Sequence, residues 1–304
     1  GPKYLVAKTD PNTYATERIG WYVVNINAND VATLGATPKW FLATLFLPED
    51  RSSEDMVREI FADMSRAAQE LGVALCGGHT EVTAGLDRPI VVGQMLGEVE
   101  KDRLVLKTQA RPGDDIILTK GIAIEGTAII AREKGPELIK TFGQDMVKRA
   151  QNFLYEPGIS IIREALLAAG AARVHAMHDL TEGGLATGVL EMAQIAGLGV
   201  AINKDRIRCY PETESLCSHY GLNPLGLIAS GSLLIALDPK DTQKVLDALR
   251  KEGIQAEAIG SLTEKKKGFK ILEDKEVKEL PFFQVDEIAR LFEAEGKKSS
   301  ALPR

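Results

Sequence analysis

The chain has 304 residues, enough for two domains, and its 44% hydrophobic and 26% charged residues match a folded globular protein and exclude wholesale disorder. A mild formal net charge of −6, without long runs of either sign, argues against a nucleic-acid-binding surface. Because no apolar run approaches the roughly 18 residues that span a bilayer, we expect no membrane partner and a cytoplasmic location.

The first third of the chain predicts alternating strands and helices. The predicted elements are a strand over 3–10, a helix over 15–35, an apolar stretch over 40–47, an amphipathic helix around 53–71, a strand over 73–76 and a strand around 90–99. Residues 77–81, Gly-Gly-His-Thr-Glu, are predicted to form a loop after the strand at 73–76. Local crossovers of this kind favour an α/β arrangement.

Residues 107–115 concentrate Pro, Gly and charge, which is typical of a domain boundary. We therefore predict a first domain over 1–106, a second over 107–282, and a C-terminal helix and loose tail over 283–304. The second domain repeats the mixture, with helices near 126–134, 159–169, 185–195 and 241–251, and strands near 116–119, 174–177 and 232–237. The predicted fold class is therefore α/β with two domains.

Asp30 is the first candidate functional residue. On a helix, Val23, Ile26 and Asp30 fall within roughly 60° of one another, so a carboxylate ends a buried stripe. An unpaired buried carboxylate is costly, so Asp30 needs a cation, hydrogen-bond donors or access to water. Two explanations stay open: backbone N–H groups at a helix end, or a bound magnesium ion. Asp10, where the first strand ends, is either a turn residue or a second metal ligand.

The segment 77–81 is a candidate phosphate loop. The adjacent Gly77 and Gly78 allow backbone amides to approach a phosphate, and Thr80 and Glu81 offer oxygen ligands to a hard cation. His79 alone is more often a surface or hydrogen-bonded histidine than a ligand. The segment is therefore a weak signal by itself.

Residues 177–184, Met-His-Asp-Leu-Thr-Glu-Gly-Gly, form the fourth candidate. A strand passes through polar residues into an apolar-periodic helix, whose N-terminal N–H groups are a natural anion site. The alternative is that Asp179 or Thr181 only caps the helix. Neither this segment nor the others match the phosphate-binding loop of P-loop ATPases or the dinucleotide pattern G-x-G-x-x-G in a suitable context, which disfavours both enzyme classes.

Six segments in order resemble the aminoimidazole ribonucleotide synthetase superfamily. They are AKTDP at 7–11, NANDVATLGATPKWFLATLFLP at 27–48, CGGHTEV at 76–82, ARPGDDIILTKG at 110–121, HDLTEGGLATGVLEMA at 178–193 and IASGSLLIAL at 228–237. This superfamily includes the purine-pathway enzyme, selenophosphate synthetase, thiamine-monophosphate kinase and the hydrogenase maturation factor HypE. The spacing around NAND resembles HypE, whereas GGHT is more similar to selenophosphate synthetase.

The resemblance implies an N-terminal domain that forms a homodimer through its sheet, a C-terminal α/β domain, and a cleft that binds ATP with magnesium. It implies metal ligands at Asp10 and Asp30 and catalytic carboxylates at Asp179 and Glu182. It implies nucleotide contacts from Asn29, Asp30, Gly77, Gly78, His79, Thr80, Thr181, Gly183 and Gly184. Members also carry a glycine-rich, Asp-bearing segment before the first strand, which we expect upstream of residue 1.

The function implied by this resemblance is that of a magnesium- and ATP-dependent enzyme. Such an enzyme activates an amide-like oxygen or phosphorylates a small acceptor, mostly by binding and charge neutralisation. The alternative is a nucleotide-binding scaffold without turnover that binds a protein partner.

Overall fold

The structure is a computed structural model that describes residues 1–12 and 17–292. The chain divides into two compact units, Gly1–Leu104 and Val105–Arg304. Both units combine helices with a sheet, which confirms the predicted α/β class. The predicted loose tail falls mainly on residues 293–304, which lie outside the described part of the chain.

The first unit is a four-stranded sheet with two helices. Its elements are β1 (Lys3–Asn12), α1 (Ile19–Thr33), β2 (Thr37–Pro48), α2 (Glu54–Leu71), β3 (Ala74–Thr83) and β4 (Ile90–Glu100). The strand order is β1-β4-β2-β3, in which β2 and β3 are parallel and the other neighbours are antiparallel. β1 and β3 therefore form the two edges of the sheet.

Helix α1 is buried along nearly its whole length because it lies between the sheet and α2. A Cβ atom on Gly20 would lie 2.3 Å from the carbonyl oxygen of Ile60, so glycine permits the close crossing of the two helices. Helix α2 is amphipathic, begins after Ser53, whose side chain accepts a hydrogen bond from the N–H of Met56, and ends at Gly72 with φ of 67°.

The prediction of a loop at 77–81 is wrong. These residues lie inside β3, where they pair with β2 from Leu42 opposite Gly77 to Phe46 opposite Glu81. The glycines that suggested a loop instead allow close approach of two strands: a Cβ atom on Gly78 would lie 1.9 Å from the carbonyl oxygen of Ala43. Glycine is depleted in strands generally, so its presence favoured the wrong interpretation.

The second unit is built on a seven-stranded sheet of order β11-β10-β7-β9-β5-β8-β6. Its strands are β5 (Asp115–Thr119), β6 (Val174–Asp179), β7 (Gly199–Asn203), β8 (Leu233–Leu237), β9 (Ala256–Thr263), β10 (Phe269–Glu273) and β11 (Glu276–Glu279). Its helices are α3 (Ile124–Glu133), α4 (Gly135–Phe142), α5 (Gln144–Asn152), α6 (Ile162–Ala171), α7 (Gly184–Ile195), α8 (Pro211–Tyr220) and α9 (Pro239–Lys251).

The sheet of the second unit brings the ends of β5 and β6 to one edge. β8 pairs antiparallel with both strands, so β5 and β6 run in the same direction. The side chain of Thr119, at the end of β5, accepts a hydrogen bond from the N–H of Leu233. Asp179, at the end of β6, pairs with the same Leu233. Polar groups that follow these strands therefore collect at this edge.

A segment after β11 packs against the second unit. Residues 287–292 are helical, and the side chains of Ile288 and Leu291 are buried. Within residues 1–12 and 17–292, none of the helices has both the length and the apolar character that crossing a bilayer requires.

Candidate active site

In the first unit, the structure brings Asp10 and Asp30 together around a lysine. The Nζ atom of Lys8 lies 3.4 Å from Oδ2 of Asp10 and 3.2 Å from Oδ2 of Asp30. Lys8 and Asp10 share one face of β1 because side chains alternate along a strand, and α1 carries Asp30 to that face. Partial burial opposes the charge of Lys8, but the two carboxylates outweigh it and raise its pKa above the ordinary value.

These two carboxylates are oxygen ligands of the kind that Mg²⁺ prefers. The ammonium of Lys8, however, occupies the position between them in which a shared ion would have to lie. Among the described residues, no group of three or more His, Cys, Asp or Glu side chains is placed to hold a metal ion. The arrangement of Lys8, Asp10 and Asp30 therefore does not fit a resident magnesium ion.

The other predicted nucleotide contacts of the first unit lie elsewhere on the sheet. Asn29 is buried in α1 with 1% of its surface exposed. Gly77, Gly78, His79 and Thr80 lie in β3, at the opposite edge from β1, and their residues are exposed. With strands about 4.8 Å apart, three strand spacings separate these residues from Asp10 by about 14 Å. Within the first unit, the fold does not bring the 77–81 segment to the Asp10 and Asp30 pair.

In the second unit, Asp179 ends β6 as a buried carboxylate with 5% exposure, and the loop after it is closely held. The carbonyl oxygen of Thr181 accepts hydrogen bonds from the N–H groups of Gly184 and Ala229. Gly183 and Gly184 have φ of 74° and 59°, in the left-handed region that favours glycine. The two glycines therefore let the chain turn sharply from β6 into α7.

The amide donor of this turn already binds a carboxylate of the same chain. Oδ2 of Asp286 accepts a hydrogen bond from the N–H of Gly183 at 2.6 Å, and Oδ1 accepts from the N–H groups of Ile288 at 2.7 Å and Ile228 at 3.3 Å. Burial raises the pKa of Asp286, although these three hydrogen bonds act in the opposite direction. The predicted anion site at the start of α7 is thus filled by Asp286.

Glu125 adds a second buried carboxyl group at this edge. Its side chain is 3% exposed and accepts a hydrogen bond from the N–H of Ser230 at 3.3 Å. Burial raises the pKa of Glu125 to about 7, and the charges of Glu182 and Asp286 contribute in the same direction. Glu182 itself is exposed. The region therefore contains three acidic side chains in electrostatic contact.

A chain of hydrogen bonds fixes His178, the residue before Asp179. Nζ of Lys107 lies 2.6 Å from Nδ1 of His178, and Nε2 of His178 lies 2.9 Å from Oε2 of Glu191. Because an ammonium group can only donate, Nδ1 accepts and Nε2 carries the proton that Glu191 accepts. The hydrogen bond from His178 lowers the pKa of Glu191, against the effect of its partial burial.

A separate groove of about 720 Å³ lies around Lys120, and none of the predicted site residues lines it. Its charged side chains pair with one another. The pairs are Lys120 with Glu164 at 2.7 Å, Arg149 with Glu212 at 2.8 Å, and Arg163 with Glu252. Nζ of Lys120 also donates to the carbonyl oxygens of Gly158 and Ser160. These internal pairs stabilise the fold and leave the candidate chemistry at the edge that carries Asp179.

The sequence reasoning missed Lys8, Lys107, His178, Glu191, Asp286 and Glu125. Two signals were available: Lys8 lies two residues before Asp10 in a predicted strand, and His178 is part of the polar segment 177–184. The contact between Gly183 and Asp286 joins residues 103 positions apart, and no local pattern indicates it.

Comparison with known proteins covers both units. The family model for the N-terminal domain of AIR synthase related proteins matches residues 1–99, and the model for the C-terminal domain matches residues 111–273. A putative hydrogenase expression/formation protein of Methanocaldococcus jannaschii is 30% identical over 275 residues, 88% of this chain and 78% of that protein. Carbamoyl dehydratase HypE of Rhodobacter capsulatus is 30% identical over 246 residues, 80% of this chain and 69% of that protein. Selenide, water dikinase of Pelobacter propionicus is 27% identical over 261 residues, 76% of this chain and 70% of that protein.

Solved structures share the fold. The hydrogenase maturation protein HypE in complex with ATP superposes with a TM-score of 0.79 at 24% identity, covering 94% of this chain and 87% of HypE. A ThiL structure complexed with AMPPCP and TMP gives a TM-score of 0.72 at 21% identity, covering 90% of this chain and 85% of ThiL. The sequence matches in both units and the shared architecture agree with the resemblance found in the sequence: the chain belongs to the AIR synthase related protein family.

Proposed function

We propose that the protein is an ATP-using enzyme that activates an amide-like oxygen or phosphorylates a small acceptor. The observation that carries this proposal is the family match over both units, at residues 1–99 and 111–273. Relatives named carbamoyl dehydratase and selenide, water dikinase, together with an ATP-bound structure of HypE, support the use of ATP. The shared chemistry of these relatives is the proposed chemistry of this chain.

The turn at the start of α7 supports an anion-binding role in the second unit. The N–H of Gly183 donates to a carboxylate at 2.6 Å, so its orientation suits a negatively charged oxygen. In the proposed enzyme, Thr181, Gly183 and Gly184 contact phosphate oxygens after Asp286 has released the amide. Asp179, buried beside this turn, and Glu182, exposed next to it, are the proposed catalytic carboxylates.

In the first unit, we propose that Asn29, Asp30 and the β3 residues Gly77, Gly78, His79 and Thr80 contact the nucleotide. Mg²⁺ is usually bound through one or two carboxylates together with phosphate oxygens of the substrate. We therefore propose that the ion enters with ATP, rather than being held beforehand by Asp10 and Asp30. When bound, it supplies charge neutralisation at the phosphates.

The acceptor is proposed to be a small molecule or a group on another protein. Burial raises the pKa values of Cys209 and Cys217 to about 12, so both stay thiols near neutral pH and are poor nucleophiles. A HypE–HypF complex has been solved for a structural neighbour that shares 21% identity, which supports a protein partner as one source of the acceptor group.

A substrate panel tests this function. The full chain is incubated with ATP and Mg²⁺, alone and with a carbamoylated cysteine peptide, thiamine monophosphate or selenide, and ADP is measured. We expect one acceptor to raise ADP formation at least tenfold. A folded chain that binds no ATP at millimolar concentration would overturn the proposal, whereas ATP binding without turnover on any acceptor would support the scaffold alternative.

We also propose a homodimer formed through the sheet of the first unit. The face opposite the two helices carries exposed or half-buried apolar side chains, including Leu5 at 65% exposure, Leu42 and Phe46. Every residue of β3 except Thr83 is exposed. A second copy would cover this surface. Light scattering at micromolar concentration should give twice the mass of the chain, and a Phe46→Glu variant should give the single mass.

A further inference from the structure

The carboxylates of Asp10 and Asp30 share one counterion within the chain. Oδ2 of each carboxylate lies within 3.4 Å of Nζ of Lys8. The three side chains are between 22% and 39% exposed, so the ion pair is neither fully buried nor fully solvated. With Lys8 ionised, the three side chains together carry one net negative charge.

The backbone fixes the place of this cluster. Nδ2 of Asn27 donates to the carbonyl oxygen of Asp10 at 3.2 Å and so ties α1 to β1. A Cβ atom on Gly93, which pairs with Asp10, would lie 2.3 Å from this Nδ2 atom, so only glycine permits the contact. The helix that carries Asp30 and the strand that carries Lys8 are therefore held in one register. Lys8 is thereby placed beside both carboxylates, which distinguishes it from a lysine that swings freely in solvent.

A divalent ion at this pair would compete directly with Lys8. Mg²⁺ binds carboxylate oxygen at about 2.0–2.1 Å, so an ion that bridges Asp10 and Asp30 would take the position of the ammonium. Two cations in that position would repel each other strongly, since unit charges about 4 Å apart interact by several kcal/mol near a protein surface. Either Lys8 leaves the pair, or the metal does not bind there.

We propose that Lys8 is a built-in cation that replaces a divalent ion at the Asp10 and Asp30 pair of the nucleotide-free protein. The chain then neutralises these carboxylates without metal, and removal of the ammonium converts the pair into a divalent cation site. The inference concerns the region used in the proposed function, but it is tested without ATP. Its failure is therefore distinguishable from a failure of ATP use.

The experiment is a calorimetric titration of the full chain with MnCl₂ in the absence of nucleotide. The variants are Lys8→Met, which keeps the length of the side chain and removes its charge, Lys8→Arg, which keeps the charge, and the double variant Lys8→Met with Asp30→Asn. We expect Lys8→Met to gain one Mn²⁺ site per chain, at least tenfold tighter than any binding by the wild type. Lys8→Arg and the double variant should behave like the wild type.

Two results would overturn the inference. One is a wild-type Mn²⁺ site of the same affinity as in Lys8→Met, which is lost in an Asp30→Asn variant. The other is a folded Lys8→Met variant with no gain in Mn²⁺ binding.

Repulsion between the uncompensated carboxylates destabilises Lys8→Met, so thermal unfolding supplies a second measurement. Mn²⁺ should raise the melting temperature of Lys8→Met and leave that of the double variant, in which the repulsion is removed, unchanged. Equal Mn²⁺ responses of the two variants would also contradict the role of Lys8.

Discussion

The two units use opposite charges to satisfy the polar groups that were predicted to meet the nucleotide. In the first unit, the ammonium of Lys8 lies between the carboxylates of Asp10 and Asp30. In the second, the carboxylate of Asp286 accepts a hydrogen bond from the N–H of Gly183. A predicted cation site thus contains an internal cation, and a predicted anion site contains an internal anion.

The difference between the two units lies in what must move to admit a ligand. Lys8 is a single half-exposed side chain, and rotation about its own bonds can withdraw it. Asp286 belongs to a segment that also buries Ile288 and Leu291 and places the ring of Phe283 against Gly226. Releasing Gly183 therefore disturbs apolar packing, whereas releasing Asp30 does not. We expect the second unit to hold its internal ion more strongly.

The largest expected effect concerns the acidic cluster of the second unit. The pKa of Glu125 is raised by burial from 4.5 to about 7, so the folded state favours the protonated form. Its contribution to stability is present below pH 4.5 and is lost as the pH rises through 7. Relative to Glu125→Gln, the wild type should lose about 3 kcal/mol of unfolding free energy between pH 4 and 8.

Urea unfolding at several pH values measures this loss, with Glu257→Gln at an exposed position as the control. Parallel pH profiles of the wild type and Glu125→Gln would show that Glu125 is not a buried titrating group.

Asp286→Ala tests the internal anion. The substitution removes the acceptor of three backbone N–H groups, and hydrogen bonds to charged groups contribute about 1.5–3 kcal/mol, so we expect a loss of about 2 kcal/mol. Hydrogen–deuterium exchange at the amides of Gly183 and Ile228 should accelerate. Asp205→Ala, at an exposed position of the same unit, should leave both amides protected. Unchanged exchange in Asp286→Ala would remove the internal anion from the comparison.

Asp30→Asn tests whether the first unit contributes to nucleotide binding. The substitution keeps the shape of the side chain and removes one negative charge, so we expect Mg²⁺-dependent ATP binding to weaken at least tenfold, equivalent to about 1.4 kcal/mol. Calorimetric titration with ATP and Mg²⁺ measures the change, and circular dichroism checks that the fold is kept. Asp102→Asn, at an exposed position in the same unit, is the control. Full affinity in Asp30→Asn would exclude the first unit's carboxylate from the nucleotide site.

The smallest expected effect is that of Lys107→Met on His178. Removal of the ammonium takes away the donor to Nδ1, so the preference for the Nε2–H form should weaken, with a stability loss of about 1 kcal/mol. Nitrogen-15 NMR of the imidazole distinguishes the two tautomers. Lys244→Met, at an exposed position of α9, should retain the wild-type spectrum. A mixture of tautomers already present in the wild type would contradict the assigned hydrogen bonds.

The candidate site was predictable from the sequence where a local pattern carried the signal. Helical periodicity placed Asp30 on the buried face of α1 and showed that its carboxylate requires compensation. The polar segment after β6 indicated the turn at Gly183 and Gly184 because left-handed glycines and a following apolar period are local features. The glycines at 77 and 78 misled the prediction, since glycine serves both loops and closely packed strands.

The sequence by itself determined the family, most of the strands and helices, and the need of Asp30 for a partner. Only the tertiary structure decided the identity of that partner, because α1 must pack on β1 before Asp30 meets Lys8. It also decided that Asp286 fills the turn before α7, since the contact spans 103 residues and depends on how the segment after β11 packs. Periodicity and capping act over a few residues, whereas charges distant in the chain pair only where the folded backbone brings them together.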